Sequence, residues 1–211
     1  MRRELMKKKG KNTAITIKSQ EDLKRIALRL KEVDYPAYIL WSIAIGTGYR
    51  GGDLVKLTVA DIRKAVETGK ISVLEEKTEH SRKKKFEREE VLPSKLIKIL
   101  KEYIYEKSDV EYLYWTENSR GKDCFKQHIR RDRLGKIFKS VVVELGISKG
   151  SVGTHTPRKS YGYRQYITHD KDIRYVQRLF GHTKEETTLS YIAVDDDIAE
   201  SAAKTMNDSI Y

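Results

Sequence analysis

A mainly helical domain carrying one small antiparallel sheet, of the α+β class, is the fold this sequence predicts, and three observations predict it. Apolar residues recur at helical spacing through much of the chain, as in Leu23, Ile26, Ala27, Leu30 and Val33, or Leu134, Ile137, Phe138, Val141, Val142 and Leu145. Between residues 71 and 92 the rhythm changes to two runs that read as strands, ISVLEEK and KKFEREEVL, around a polar turn near TEHSR. Glycine and proline punctuate the helical runs where helices start or stop.

Residues 1–12, MRRELMKKKGKN, are basic with little to bury, and the chain up to residue 18 is read as a leading tail or linker stub. Ser19 opens a capping box in which Asp22 stands in for the usual glutamate, and a helix follows through Val33. Pro36, whose fixed φ suits a first turn, starts AYILWSIAI; a segment apolar nearly all round belongs at the centre of a core. Gly46 to Gly48 end it, and short helices over 52–57 and 60–66 lead to Thr68-Gly69 and the hairpin. Ser94 starts a helix with Leu96, Ile97, Leu100, Tyr103 and Ile104 on one side, and the run from Leu134 to Leu145 forms a second long one. Pro157 suits the first turn of a helix reaching about Ile167, and Asp172 starts another reaching about Phe180. Short helices are predicted over 184–191 and 195–206, so the domain is taken as residues 19–211 with a C-terminal segment from about 195. No internal repeat of 20–50 residues interrupts this order.

A chain of 211 residues suits one core with a short extra segment, and 38% hydrophobic against 35% charged residues predicts a packed interior with a large solvated or ligand-facing surface. No run approaches the roughly 18 apolar residues that span a bilayer, and the Lys-rich start lacks the apolar stretch of a signal peptide. The expected place is therefore the cytoplasm, at the nucleoid, with no membrane partner. Cys124 is the single cysteine, which excludes an intrachain disulfide and a cysteine-rich zinc site. Lys and Arg number 43 against 31 Asp and Glu, a formal charge of +12. Nucleic acid fits that balance, because each phosphate neutralised releases condensed counterions.

Four stretches could carry chemistry, and each has a plain structural reading beside the functional one. Arg50, in GTGYRGGDL, sits where the buried helix gives way to a glycine-flanked turn; its guanidinium could bind an internal carboxylate such as Asp53 or point into a cleft. Lys77, in LEEKTEHSRKKKFE, could be part of a solvated hairpin tip. His155 and Arg158, in THTPRKSYGY, lie three apart at a helix start, where both could approach one anion beside unpaired backbone N–H groups. His182 follows Gly181 and could be a capping or core histidine, while Tyr191 is one of 13 tyrosines.

Taken together, in order and register, these stretches resemble the tyrosine recombinase or phage integrase family over roughly residues 19–205. Thr47-Gly48-Tyr49-Arg50-Gly51-Gly52-Asp53 resembles the family's first arginine box, and His155-Thr156-Pro157-Arg158 its H-x-x-R box. Phe180-Gly181-His182, Thr187-Thr188 and Tyr191, nine residues after the histidine, resemble the closing L-G-H and tyrosine pattern, and Lys77-Thr78 falls on the family's hairpin lysine. Three positions depart: Pro157 and Phe180 stand where leucine is usual, and Lys159 where many relatives have histidine. The family's separate N-terminal DNA-clamping domain has no counterpart in these residues, which implies a fragment or a short member relying on an accessory DNA-binding protein.

The resemblance implies a tyrosine recombinase catalytic-domain fold and site-specific recombination or integration without metal or other cofactor. Tyr191 would attack the scissile phosphate to form a 3′-phosphotyrosyl link, with Arg50 and Arg158 on the non-bridging oxygens, where a planar, always-charged fork is suited to phosphate. Lys77 would protonate the departing 5′ oxygen, His155 would bond the phosphate or take the tyrosine proton, His182 would bond a non-bridging oxygen, and Asp53 would orient Arg50. Arg82, Lys83, Lys84, Lys85, Arg130, Arg131, Arg133 and Lys159 are expected to touch DNA phosphates rather than bases. The expected partners are double-stranded DNA and further copies of the chain, as a tetramer or pair of dimers. The competing readings are a type IB-like DNA-relaxing topoisomerase, a non-catalytic DNA-binding regulator of the same fold and a metal-dependent nuclease, which would want clustered carboxylates.

Overall fold

The computed structural model describes residues 14–75, 86–117, 126–148 and 150–194. Its helices in the first half are α1 (Gln20–Val33), α2 (Tyr35–Thr47), α3 (Gly51–Leu54), α4 (Val59–Thr68) and α5 (Ser94–Ile104), with strands β1 (Lys70–Glu75) and β2 (Phe86–Val91) between the last two. Strands β3 (Trp115–Glu117) and β4 (Lys126–His128) precede α6 (Arg131–Glu144), α7 (His155–Thr168), α8 (Ile173–Phe180) and α9 (Glu185–Ile192).

Capping chemistry places the early helices. Ser19 Oγ accepts the Asp22 N–H at 3.1 Å, a contact of the kind that contributes about 1 kcal/mol. Asp34 closes α1 and caps α2 by accepting from the Ala37 N–H, and its second oxygen accepts from the Tyr114 hydroxyl at 2.7 Å. Ala37, Ile39, Leu40, Trp41, Ile43 and Ala44 are all buried, so α2 is central, as its all-apolar sequence predicts, and it packs against α1, α5, α6 and α7. Trp41 meets Phe138 of α6 edge to face at 5.0 Å, a geometry worth about 1 kcal/mol beyond the area buried. Thr58 and Asp61 form a complete capping box that starts α4 earlier than expected, at Val59.

The mainly helical fold with small antiparallel pairing is as expected, and among the described residues that pairing falls into two ribbons. β1 and β2 pair antiparallel with Lys70 opposite Val91 and Glu75 opposite Phe86, as the hairpin reading requires. β3 and β4 form a second antiparallel pair, Trp115 opposite His128, that three-residue strands leave without a readable alternation. Residues 14–18, expected to belong to the leading tail, run against the domain: the Ile15 N–H donates to the Ser151 carbonyl, the Ile17 N–H donates to Ser160 Oγ, and Ile17 is buried. The helix expected over 195–206 and Cys124 lie outside the described residues.

Two apolar clusters result. The larger gathers α1, α2, α4, α5 and α6; the smaller joins Tyr161 and Tyr166 of α7 to Val176 and Phe180 of α8 and Ile192 of α9. Among the described residues no helix is long and apolar enough to cross a membrane.

Candidate active site

The end of α2 and the start of α7 are brought together by backbone that only glycine permits. Gly48 caps α2 in the left-handed region, φ 68°, and a Cβ there would lie 2.4 Å from the Tyr161 ring; a Cβ on Gly51 would lie 2.3 Å from the Thr154 side chain. Arg50, between them at the head of α3, is thereby brought close enough to the α7 N-terminus to act electrostatically on His155. Arg158, 1% exposed, extends from α7 to donate from Nη1 to the Gly48 carbonyl, and its guanidinium lies 4.4 Å from the Phe180 ring centroid.

Strand β2 secures the same turn from the other side. Arg88 is buried, pairs with Glu90 at 2.7 Å and donates from Nη2 to the Thr47 carbonyl at 2.8 Å, while its guanidinium covers the Tyr49 ring. The Tyr49 hydroxyl, at 2.6 Å from the Ile71 carbonyl and 2.9 Å from that of Arg88, ties the turn to both strands. A buried ion pair costs desolvation that its own attraction barely returns, so what this one contributes is placement of the turn rather than stability.

Tyr191 projects from α9 into a cluster of rings and cations. Its hydroxyl is 3.1 Å from His155 Nδ1. The Phe180 and His182 rings each stand 80° to the Tyr191 ring at 5.5 Å, leaving it little rotational freedom. His182 is turned into this position by Gly181, which ends α8 in the left-handed region, and is oriented by Thr188 Oγ1 at 3.1 Å from its Nδ1. Lys159 is 4% exposed, with Nζ 5.2 Å from the Tyr191 ring centroid. A cleft of about 840 Å³ opens over Tyr191, His155 and Lys159, walled by Arg131, Lys136 and Lys139 of α6.

Burial, followed by the positive charges of Arg158, Arg131, Arg50 and Lys159, holds the His155 imidazole below the ordinary histidine range. That direction favours the neutral imidazole, whose Nδ1 lies 3.1 Å from the Tyr191 hydroxyl. Single-turnover cleavage of DNA should accordingly keep its rate as pH falls through about 6.5, where a free histidine titrates, and decline only below. A decline centred at or above that value would mean a resting imidazolium. The same depression makes His155 contribute stability that is present above the unfolded-state value and lost as pH falls through the folded one.

The profile of the phage integrase family matches residues 17–197. The chain belongs to that family. The probable integrase/recombinase YoeC of Bacillus subtilis is 28% identical over 192 residues, covering 89% of this chain and 94% of that protein. A tyrosine recombinase of Thermosipho africanus is 33% identical over 115 residues, 54% of this chain and 37% of the relative. Among solved structures, XerH recombinase in a post-cleavage complex with its difH substrate superposes with a TM-score of 0.67 at 21% identity, covering 95% of this chain and 56% of that one. XerA recombinase gives 0.65 at 20% identity, covering 92% and 64%, and the catalytic domain of bacteriophage HP1 integrase 0.54 at 18%, covering 90% and 94%. What these structures share with the chain is the fold. The expected class, a tyrosine-type site-specific recombinase with the catalytic-domain fold, holds.

Within this phage integrase family chain, His155, Arg158, His182 and Tyr191 converge, with Arg50 close enough to act electrostatically on His155. Asp53 is buried in α3, beyond Arg50. Lys77, Arg82, Lys83, Lys84 and Lys85 lie outside the described residues, in the connection from β1 to β2. The three arginines at the start of α6 diverge: Arg131 lines the cleft, Arg130 is paired with Asp132 at 2.6 Å, and Arg133 lies near Tyr114. Lys136 and Lys139 were not anticipated, although Arg131, Gly135 and Lys139 recur at four-residue spacing away from the apolar stripe of Leu134, Phe138 and Val141. Arg88 and Glu90 were missed as well, having no motif of their own, and Thr188, part of the closing motif, had been given no role beside His182.

Proposed function

We propose that this chain cuts and rejoins double-stranded DNA at specific sites through a 3′-phosphotyrosyl link to Tyr191. The observation that carries the reading is the 3.1 Å approach of the Tyr191 hydroxyl to a part-buried His155 on which Arg158, Arg131, Arg50 and Lys159 act. Tyr191 Oη bonds to phosphorus as its proton passes to His155 Nδ1, and the bond to the 5′ oxygen breaks with that oxygen protonated by Lys77. Arg50 and Arg158 bind the non-bridging oxygens, Asp53 orients Arg50, and His182 contributes a further hydrogen bond. Because the phosphotyrosyl ester conserves the broken bond's energy, rejoining to another strand needs no nucleotide cofactor.

Arg131, Lys136 and Lys139 give the cleft a basic wall for the DNA backbone, and the basic run Arg82 to Lys85 is assigned to DNA phosphates from its sequence. Exchange between two duplexes needs several active sites at once, so the working form is an assembly of copies on DNA. Lambda integrase has been seen as a dimer on a core site, and XerH on a palindromic substrate, which supports that reading by kinship. An accessory DNA-binding protein would add grip.

The test is covalent capture. The chain is incubated in chelator with nicked duplexes tiling the DNA beside its own coding sequence, denatured, and the adduct mapped by peptide mass. An adduct on Tyr191, with strand exchange between two duplexes, is expected. Relaxation of supercoils without exchange would move the reading to a topoisomerase, and cleavage lost in chelator would move it to a metal-dependent nuclease.

A further inference from the structure

His155 and Lys159 occupy positions i and i+4 of α7 and so share one face, from which both reach Tyr191 of α9. His155 meets the Tyr191 hydroxyl; one turn along, Lys159 brings its ammonium to 5.2 Å from the centroid of the same ring. The Lys159 side chain differs from an ordinary DNA-contacting lysine. Such residues keep their heads in water, as Lys136 and Lys139 do on the exposed wall of the cleft, whereas Lys159 is 4% exposed. Burial pushes its ammonium below the ordinary lysine range, and no carboxylate of the described residues pairs with it. Arg158 on α7, Arg131 on α6 and Arg50 on the α3 turn act together with it on the neighbouring His155.

A desolvated ammonium with no carboxylate partner among the described residues is unfavourable until negative charge develops beside it. We propose that Lys159 is a catalytic residue of this chain, its ammonium neutralising the negative charge that develops between Tyr191 Oη and the scissile phosphate during attack. The inference rests on Tyr191 being the nucleophile. In the attack, the Tyr191 proton goes to His155, the new bond forms between Oη and phosphorus, and the 5′ oxygen leaves with a proton from Lys77; Lys159 transfers nothing and remains an ammonium throughout. Because its compensating charge exists only when that anion is in place, its effect falls on the chemical step and little on DNA affinity.

The experiment compares wild type with Lys159→Met, Lys159→Gln and Lys159→Arg on a nicked duplex that gives the wild-type adduct. Single-turnover rates at saturating DNA, equilibrium affinity across a salt series and thermal midpoints are measured for each. The expected result is a rate about 10²-fold lower in both neutral variants, partial recovery in Lys159→Arg, affinity within about twofold with an unchanged salt slope, and a midpoint equal to or above wild type in Lys159→Met. Wild-type rate at saturation with weaker binding and a salt slope reduced by about one would make Lys159 a backbone contact and overturn the proposal. Wild-type behaviour in every measurement, or collapse of the midpoint in both neutral variants, would overturn it too. If wild type forms no adduct on Tyr191, the nucleophile assignment falls and this inference with it; a Tyr191 adduct with an unaffected Lys159→Met rate sinks this inference alone.

Discussion

Tyr191→Phe is expected to abolish the covalent adduct while leaving DNA binding within about twofold of wild type. Phenylalanine keeps the ring that packs against Phe180 at 5.5 Å and stands between His155 and His182, so the cluster around position 191 retains its apolar contacts. The loss includes the partly buried hydrogen bond to His155 Nδ1, a contact of the kind worth about 1 kcal/mol, or about 2–4 °C in the thermal midpoint of a domain of this size. The cations that meet the backbone are untouched, and affinity for a polyanion follows them. The chemical step, in contrast, has no replacement nucleophile: removing the nucleophile of a hydrolase costs on the order of 10⁶ in rate, and a comparable loss puts cleavage below detection. Gel-shifted adduct and equilibrium binding, measured on the same nicked duplex, separate the two effects. An adduct that persists in Tyr191→Phe would reassign the nucleophile.

Helices with a one-sided apolar rhythm were legible because burial itself imposes the period: Leu23, Ile26 and Leu30 of α1, or Leu134, Phe138 and Val141 of α6, announce the face that packs. The second ribbon was not, since Trp115–Glu117 and Lys126–His128 are too short to alternate and their pairing is a long-range fact. Strand β2 even inverts the usual rule. Val91 is 71% exposed while Arg88, on the other face, is buried against the α2 turn, so a pattern that reads as a solvated charge run supplies an internal strut. The site was legible to the extent that chemistry constrains neighbours along the chain, as with His155 and Arg158 one turn apart. Contacts made through space carry no such signature: the support of His182 by Thr188, the approach of Lys159 to the Tyr191 ring and the grip of Arg88 on the Thr47 carbonyl were not readable from spacing.

Arg158→Lys should lower single-turnover cleavage by about 10²–10³ and also lower the thermal midpoint, whereas Arg50→Lys should produce a rate loss of the same order with a smaller shift in stability. The difference follows from where the two guanidiniums sit. Arg158 is 1% exposed and has at least two partners before any substrate arrives, the Gly48 carbonyl and the face of Phe180. A lysine keeps the charge but loses the planar fork, so a single ammonium cannot hold the carbonyl, lie flat on the ring and meet a phosphate together. Losing the charged hydrogen bond and the ring contact removes about 2–4 kcal/mol. At about 2–4 °C per kcal/mol that is a fall of several degrees at least, readable by calorimetry. Arg50 is half-buried at the head of a short helix, and more of its side chain stays in water after the change. If Arg158→Lys lost stability but cleaved at the wild-type rate on saturating DNA, Arg158 would be a strut between α7 and the α2 turn, and the second phosphate ligand would have to be sought among Lys159 and Arg131.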